Sequence, residues 1–109
     1  MDENRLFNNW ERALIVALQL PDTTNSEMQS SLEEMASLTY SLGGEVVGQL
    51  VQARAQIHPA YFFGKGKLDE IKSAIKNDAV DAVLVNNQLS PKQNQNLEKI
   101  FECEVLDRT

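Results

Sequence analysis

The sequence predicts an α/β fold of three layers: a four-stranded parallel sheet in spatial order 2-1-3-4 with helices on both faces, half of a Rossmann-like domain. Three observations predict it. Residues 13–18 and 82–86 are apolar or nearly apolar runs of strand length, as strands covered on both faces require. Segments of helical period alternate with the strands, giving β-α-β-α-β-α-β. Parallel strands joined this way take right-handed crossovers. The first and third strands, the most apolar, belong in the centre, and the more polar second and fourth belong at the edges.

Each element has its own warrant. Residues 21–25 (Pro-Asp-Thr-Thr-Asn) break the first strand. Ser26 with Gln29 then reads as a capping-box pair opening a helix. Its apolar stripe is Met28, Leu32, Met35, Ala36, Thr39 and Leu42, and Gly43-Gly44 stops it. Residues 45–52 form a second strand, in which Gly48 marks a bulge or an edge. An irregular stretch, 53–63, holds His58-Pro59 and the aromatic run Tyr61-Phe62-Phe63. Gly64-Lys65-Gly66-Lys67 leads into a helix with Leu68, Ile71, Ala74 and Ile75 on one face. After the third strand, Ser90-Pro91-Lys92-Gln93 supplies an N-cap, a first-turn proline and a box-closing glutamine. Leu97, Ile100 and Phe101 are that helix's stripe, and residues 104–107 form a short last strand.

Composition bounds the function. The chain has 109 residues, one domain's worth, with 42% hydrophobic and 24% charged residues. That excludes a mainly disordered chain, a collagen-like repeat and a disulfide-framework miniprotein. No apolar run approaches the ~20 residues of a membrane span. Met1-Asp2-Glu3-Asn4 is no secretory signal, and the lone Cys103 fits a reducing compartment. The expectation is a cytoplasmic domain over residues 12–109, preceded by a flexible arm, 1–11. Net charge is −6, the reverse of a free nucleic-acid binder. The deficit is uneven, because residues 46–68 contain no carboxylate while Arg54, Lys65 and Lys67 contribute +3, which leaves −9 on the remainder. An anionic partner would meet that stretch.

Most catalytic signatures fail. A P-loop ending at Gly66-Lys67 would need glycine at position 61 and a hydroxyl residue at 68, where Tyr61 and Leu68 stand. The dinucleotide pattern would need a third glycine where Asp69 stands. One histidine, His58, and one cysteine are too few for a metal site, so no metal and no catalytic residue is expected. His58 reads as a solvated or rim histidine and Cys103 as a small apolar residue at the start of the last strand.

The glycine-lysine turn is the best binding candidate. It precedes a helix N-terminus, where free backbone N–H groups and the helix dipole favour an anion, at the sheet's carboxyl edge. Gly64, Lys65, Gly66, Lys67 and Arg54 are therefore the phosphate- or RNA-binding candidates, with Tyr61, Asn86, Asn87 and Ser90 secondary. The plain alternative is a tight loop-to-helix turn with solvated lysines. Tyr61-Phe62-Phe63 either stacks on bases or packs on the sheet, and Asn86-Asn87-Gln88 also reads as polar punctuation.

Several blocks in order resemble the N-terminal domain of the HflX family of translation-associated GTPases. They are Arg12-Ala13-Leu14-Ile15-Val16, Gly44-Glu45-Val46-Val47-Gly48, residues 61–67, Leu89-Ser90-Pro91 with Gln93 and Asn96-Leu97-Glu98, and Val105-Leu106-Asp107-Arg108-Thr109. The resemblance covers roughly residues 12 to 109 and implies a longer protein, with a helical segment and a GTPase domain using GTP and Mg²⁺. It implies binding to the large ribosomal subunit through rRNA, and ribosome splitting. A nucleotide (ATP-like) phosphate at the sheet's carboxyl edge is the alternative. For these 109 residues it implies no cofactor and no chemistry. A crystal dimer through surface bared by the absence of the helical segment is a further expectation. The sequence departs from the family pattern at Asn86 and Asn87, where acidic residues are usual, and at Gln95, where arginine is usual.

Overall fold

The computed structural model describes residues 12–108; the arm expected over residues 1–11 lies outside the described residues. The elements are β1 (Arg12–Gln19), α1 (Asn25–Ser41), β2 (Glu45–Ala53), α2 (Lys65–Asn77), β3 (Ala82–Val85), α3 (Pro91–Phe101) and β4 (Glu104–Leu106). All strand pairs are parallel, in the order β2-β1-β3-β4. This is the topology that the alternating pattern predicts.

β1 is central because it can be: residues 13–18 are buried without interruption. Alternate β1 side chains feed two cores. Leu14, Val16 and Leu18 join Leu68, Ile71, Leu97 and Phe101 beneath α2 and α3. Ala13, Ile15 and Ala17 meet Met28 and Leu32 of α1 on the other face. Gly48 sits where the β1–β2 register slips by one residue, and Val47 is the extra one. A Cβ on Gly48 would stand 3.2 Å from Leu14 Cδ1, so the bulge depends on its small size.

Two expectations about α1 need correction. Its N-cap is Thr24, not Ser26, and the box closes on Glu27, not Gln29: Thr24 Oγ1 accepts the Glu27 N–H at 3.0 Å and Glu27 Oε1 accepts the Thr24 N–H at 2.8 Å. A turn closed by Thr23 N–H to the Leu20 carbonyl (3.0 Å) delivers Thr24 extended and ready to cap. Leu42 is not part of the buried stripe. It is the C-cap residue and 58% exposed. The chain turns out of the helix at Gly43 (φ 93°), with Gly43 N–H bonded to Tyr40 O and Gly44 N–H to Thr39 O, a Schellman arrangement.

Among the described residues, no helix is long and apolar enough to cross a membrane.

The helix N-terminus beside Arg54 and its surroundings

The loop before α2 is built by a turn that the sequence does not announce. Phe63 N–H bonds to the Tyr61 carbonyl across Phe62, whose φ is 66°. A γ-turn with positive φ at a bulky residue is strained and needs support. The support is burial: Phe62 and Phe63 are each 1% exposed and meet edge-to-face, with ring centroids 5.1 Å apart. Of the aromatic run, only Tyr61 remains outside, its ring 5.3 Å from that of His58. The packing reading holds for the phenylalanines.

His58 is half-buried, as the rim reading has it, and it is hydrogen-bonded within its own loop. Its Nδ1 accepts the Ala60 and Tyr61 N–H groups at 3.0 and 3.1 Å, and its backbone pairs in both directions with Phe62. From α3, Gln93 Nε2 donates to the His58 carbonyl (3.0 Å) and Asn96 Nδ2 to the Ala60 carbonyl (3.0 Å). Gln93 also completes the capping box with Ser90, so one side chain both caps α3 and staples the loop.

The loop delivers Gly64 as the N-cap of α2, which places Lys65, Gly66 and Lys67 inside the first helical turn. Gly64 has no side chain to offer the first-turn N–H groups, whereas α1 and α3 are both closed by capping boxes. The absence of a Cβ admits two neighbours. A Cβ on Gly64 would stand 3.0 Å from Gln52 Nε2 and 3.3 Å from Arg54 Nη1. Gln52 Oε1 accepts the Gly64 N–H at 3.0 Å, while Arg54 Nη1 is buried and has no partner among the described residues.

The electrostatics are less one-sided than the carboxylate-free stretch suggests. Lys65 pairs with Asp69 at 3.5 Å on a widely exposed side chain, and Lys67 with Glu70 at 2.7 Å. The exposed Lys65 pair is weak and yields readily to a stronger anion, whereas the Lys67 side chain is 17% exposed and more firmly held.

Of the secondary candidates, Tyr61 stands in the same loop, beside His58, while Ser90, Asn86 and Asn87 are engaged elsewhere. Ser90 Oγ is spent on the Gln93 N–H. Asn87 clamps the end of β1, its Oδ1 accepting the Leu18 N–H at 2.9 Å and its Nδ2 donating to the Leu18 carbonyl at 3.0 Å. Asn86 is buried, with Nδ2 on Ser31 Oγ at 2.9 Å. Asn86 and Asn87 line a separate cavity with Ser31 and Arg108. Sequence reasoning passes over Gln52, which no motif marks, and Arg108, which reaches across to Ser31 Oγ (2.7 Å) and Glu34 (3.6 Å).

Cys103 packs against the larger core as expected, and burial, assisted by the Glu98 charge, pushes its thiol up to about 11.

Residues 29–109 match the family model described as "GTP-binding GTPase N-terminal". The chain belongs to that family. Relatives named GTPase HflX agree with it: one from Escherichia coli (strain K12) is 39% identical over 103 residues, 94% of this chain and 24% of its own length. One from Caldanaerobacter subterraneus is 37% identical over 95% of this chain and 23% of its own. One from Thermococcus kodakarensis is 40% identical over 72% of this chain and 17% of its own. The chain thus spans about a quarter of the length of these HflX relatives, or less. As an HflX-type N-terminal domain, it has the fold and the motif order that the resemblance implies.

Proposed function

We propose that this domain is the N-terminal, rRNA-binding module of an HflX-like GTP-binding protein that acts in the cytoplasm on the large ribosomal subunit, in ribosome splitting. The observation that carries the binding reading is Arg54: a buried guanidinium nitrogen without a partner, set against the one uncapped helix N-terminus among the described helices. An unsatisfied buried donor calls for an acceptor. A phosphate oxygen at the first turn of α2 is such an acceptor, with mobile charge from Lys65 and a more firmly held charge from Lys67 around it. Contacts of this kind are blind to sequence and sensitive to salt.

No reaction is assigned to these residues. Phosphoryl transfer to water needs a phosphate cradle, a Mg²⁺ ligand and a placed water. The sequence has no P-loop, and no hydroxyl residue follows Lys67. The residues present do not fit GTP with Mg²⁺, which we assign to the remainder of a full-length protein.

The test is co-sedimentation of full-length protein with isolated large subunits. Lys65→Ala with Lys67→Ala is expected to weaken binding; unchanged affinity refutes the site. A nucleotide phosphate at the same turn is the competing reading. Calorimetric titration of ATP and GTP into the chain separates the two, since saturable binding that these substitutions abolish would favour the nucleotide.

A further inference from the structure

The two faces of the sheet are covered unequally. α2 and α3 pack on one face, whereas α1, lying over β1 and β2, packs on the other. Beside α1, toward β3 and β4, the described residues leave a groove of about 420 Å³. Leu84 of β3 and Leu106 of β4 lie on one side of it, and Met35, Leu38 and Leu42 line the other. Leu38 and Leu42 are 59% and 58% exposed. Exposed apolar side chains gathered on one groove mark a surface that something covers.

The chain itself carries an occupant. Residues 1–11, outside the described residues, include Leu6, Phe7 and Trp10, three apolar side chains within five positions. Such side chains gain by leaving water. The tether fits. Arg12, where this segment joins β1, pairs with Glu45, three positions beyond Leu42. The segment therefore meets the sheet near the Leu42 end of the groove. From Leu42 back to Glu34 the groove follows α1 for about 12 Å. Eleven residues can span roughly 35 Å. So short a tether also sets the local concentration of the segment at about millimolar, which favours it over a second copy of the chain.

We propose that Leu6, Phe7 and Trp10 dock in this groove of their own chain, so that the N-terminal arm covers the open flank of α1 instead of hanging free. The inference is independent of the phosphate contact at α2, which lies on other residues.

Trp10, the chain's one tryptophan, reports on this by its fluorescence in the 109-residue chain. Its emission is expected to lie to the blue of the urea-unfolded chain, with several-fold less quenching by acrylamide. Leu38→Glu puts a charge in the groove at an exposed position. It should carry emission and quenching to the unfolded values while circular dichroism keeps the folded spectrum. Tyr40→Glu, on the same helix and 57% exposed but outside the groove, should change neither. Leu42→Glu replaces Leu38→Glu should that variant fail to fold. Parent emission that already matches the unfolded chain would overturn the proposal. So would a blue shift that the groove variant leaves intact, or that Tyr40→Glu removes equally. A blue shift lost on dilution would assign the groove to a second copy and overturn it as well.

Discussion

Replacing Gln93 by alanine tests how the binding loop is held. Two hydrogen bonds go with the side chain: Ser90 N–H to Gln93 Oε1 (2.9 Å) and Gln93 Nε2 to the His58 carbonyl (3.0 Å). The His58 carbonyl keeps its bond from Phe62 N–H, so it is weakened, not orphaned. The Ser90 N–H turns to solvent. Each hydrogen bond is then worth about 1 kcal/mol, and the two together about 2 kcal/mol. For a domain near 100 residues that lowers the melting temperature by roughly 8 to 16 °C. Gln93→Glu divides the two effects. It retains an acceptor for Ser90 but sets a carboxylate oxygen against the His58 carbonyl, so it should loosen the loop while α3 stays capped. Thermal melts and amide exchange at Phe62 are the assays, with the exposed neighbour Gln95→Ala as control, expected within about 0.5 kcal/mol of the parent. If Gln93→Ala melts with Gln95→Ala, the staple contributes nothing and the reasoning fails.

Further predictions concern titration and catalysis. With its thiol pushed from 9.0 to about 11, Cys103 should react with iodoacetamide near pH 8 about 100-fold more slowly than an unperturbed thiol, provided the fold is intact. Its linkage has a definite sign: the unfolded thiol loses its proton first, so stability should fall as pH rises from about 9 to 11, and Cys103→Ala should abolish that part of the fall. Glu27 has its carboxyl lowered by the backbone and then the side-chain hydrogen bond of Thr24, so its stabilisation is present above the ordinary carboxylate value and lost as pH falls through the folded one. Acid titrations of the parent and Glu27→Gln should therefore converge at low pH; parallel curves would contradict this. The chain alone is expected to turn over no GTP above buffer, measured as phosphate release.

The fold is legible in the sequence because its signals are periodic. The buried run of residues 13–18 and the glycines at 43 and 44 leave few alternatives, and topology follows from crossover handedness. The α3 cap is legible to the residue, Ser90 with Gln93, whereas the α1 cap is legible only to within two residues. Thr24-x-x-Glu27 and Ser26-x-x-Gln29 both satisfy the pattern, and the Leu20–Thr23 turn, invisible in composition, decides between them. Leu42 misleads because helical spacing continues past the point where Gly43 turns the chain away. In the candidate site, the glycines and lysines stand out, but their setting does not. Arg54 and Gln52 reach Gly64 only through the path of β2, and the positive φ of Phe62 belongs to a residue type that gives no warning of it. The separation of Asn86 and Asn87 from the lysines is likewise a matter of strand order.

The central claim is that phosphate meets the first turn of α2. Its most direct test is the salt dependence of full-length protein binding to large ribosomal subunits, for the parent and the Lys65→Ala, Lys67→Ala variant. Removing one lysine–phosphate pairing should reduce the slope of log K against log salt by about 0.7 to 0.9, so the double variant should bind more weakly at low salt with a slope shallower by roughly 1.5. Coincident lines, with the same affinity and the same slope, would contradict the claim.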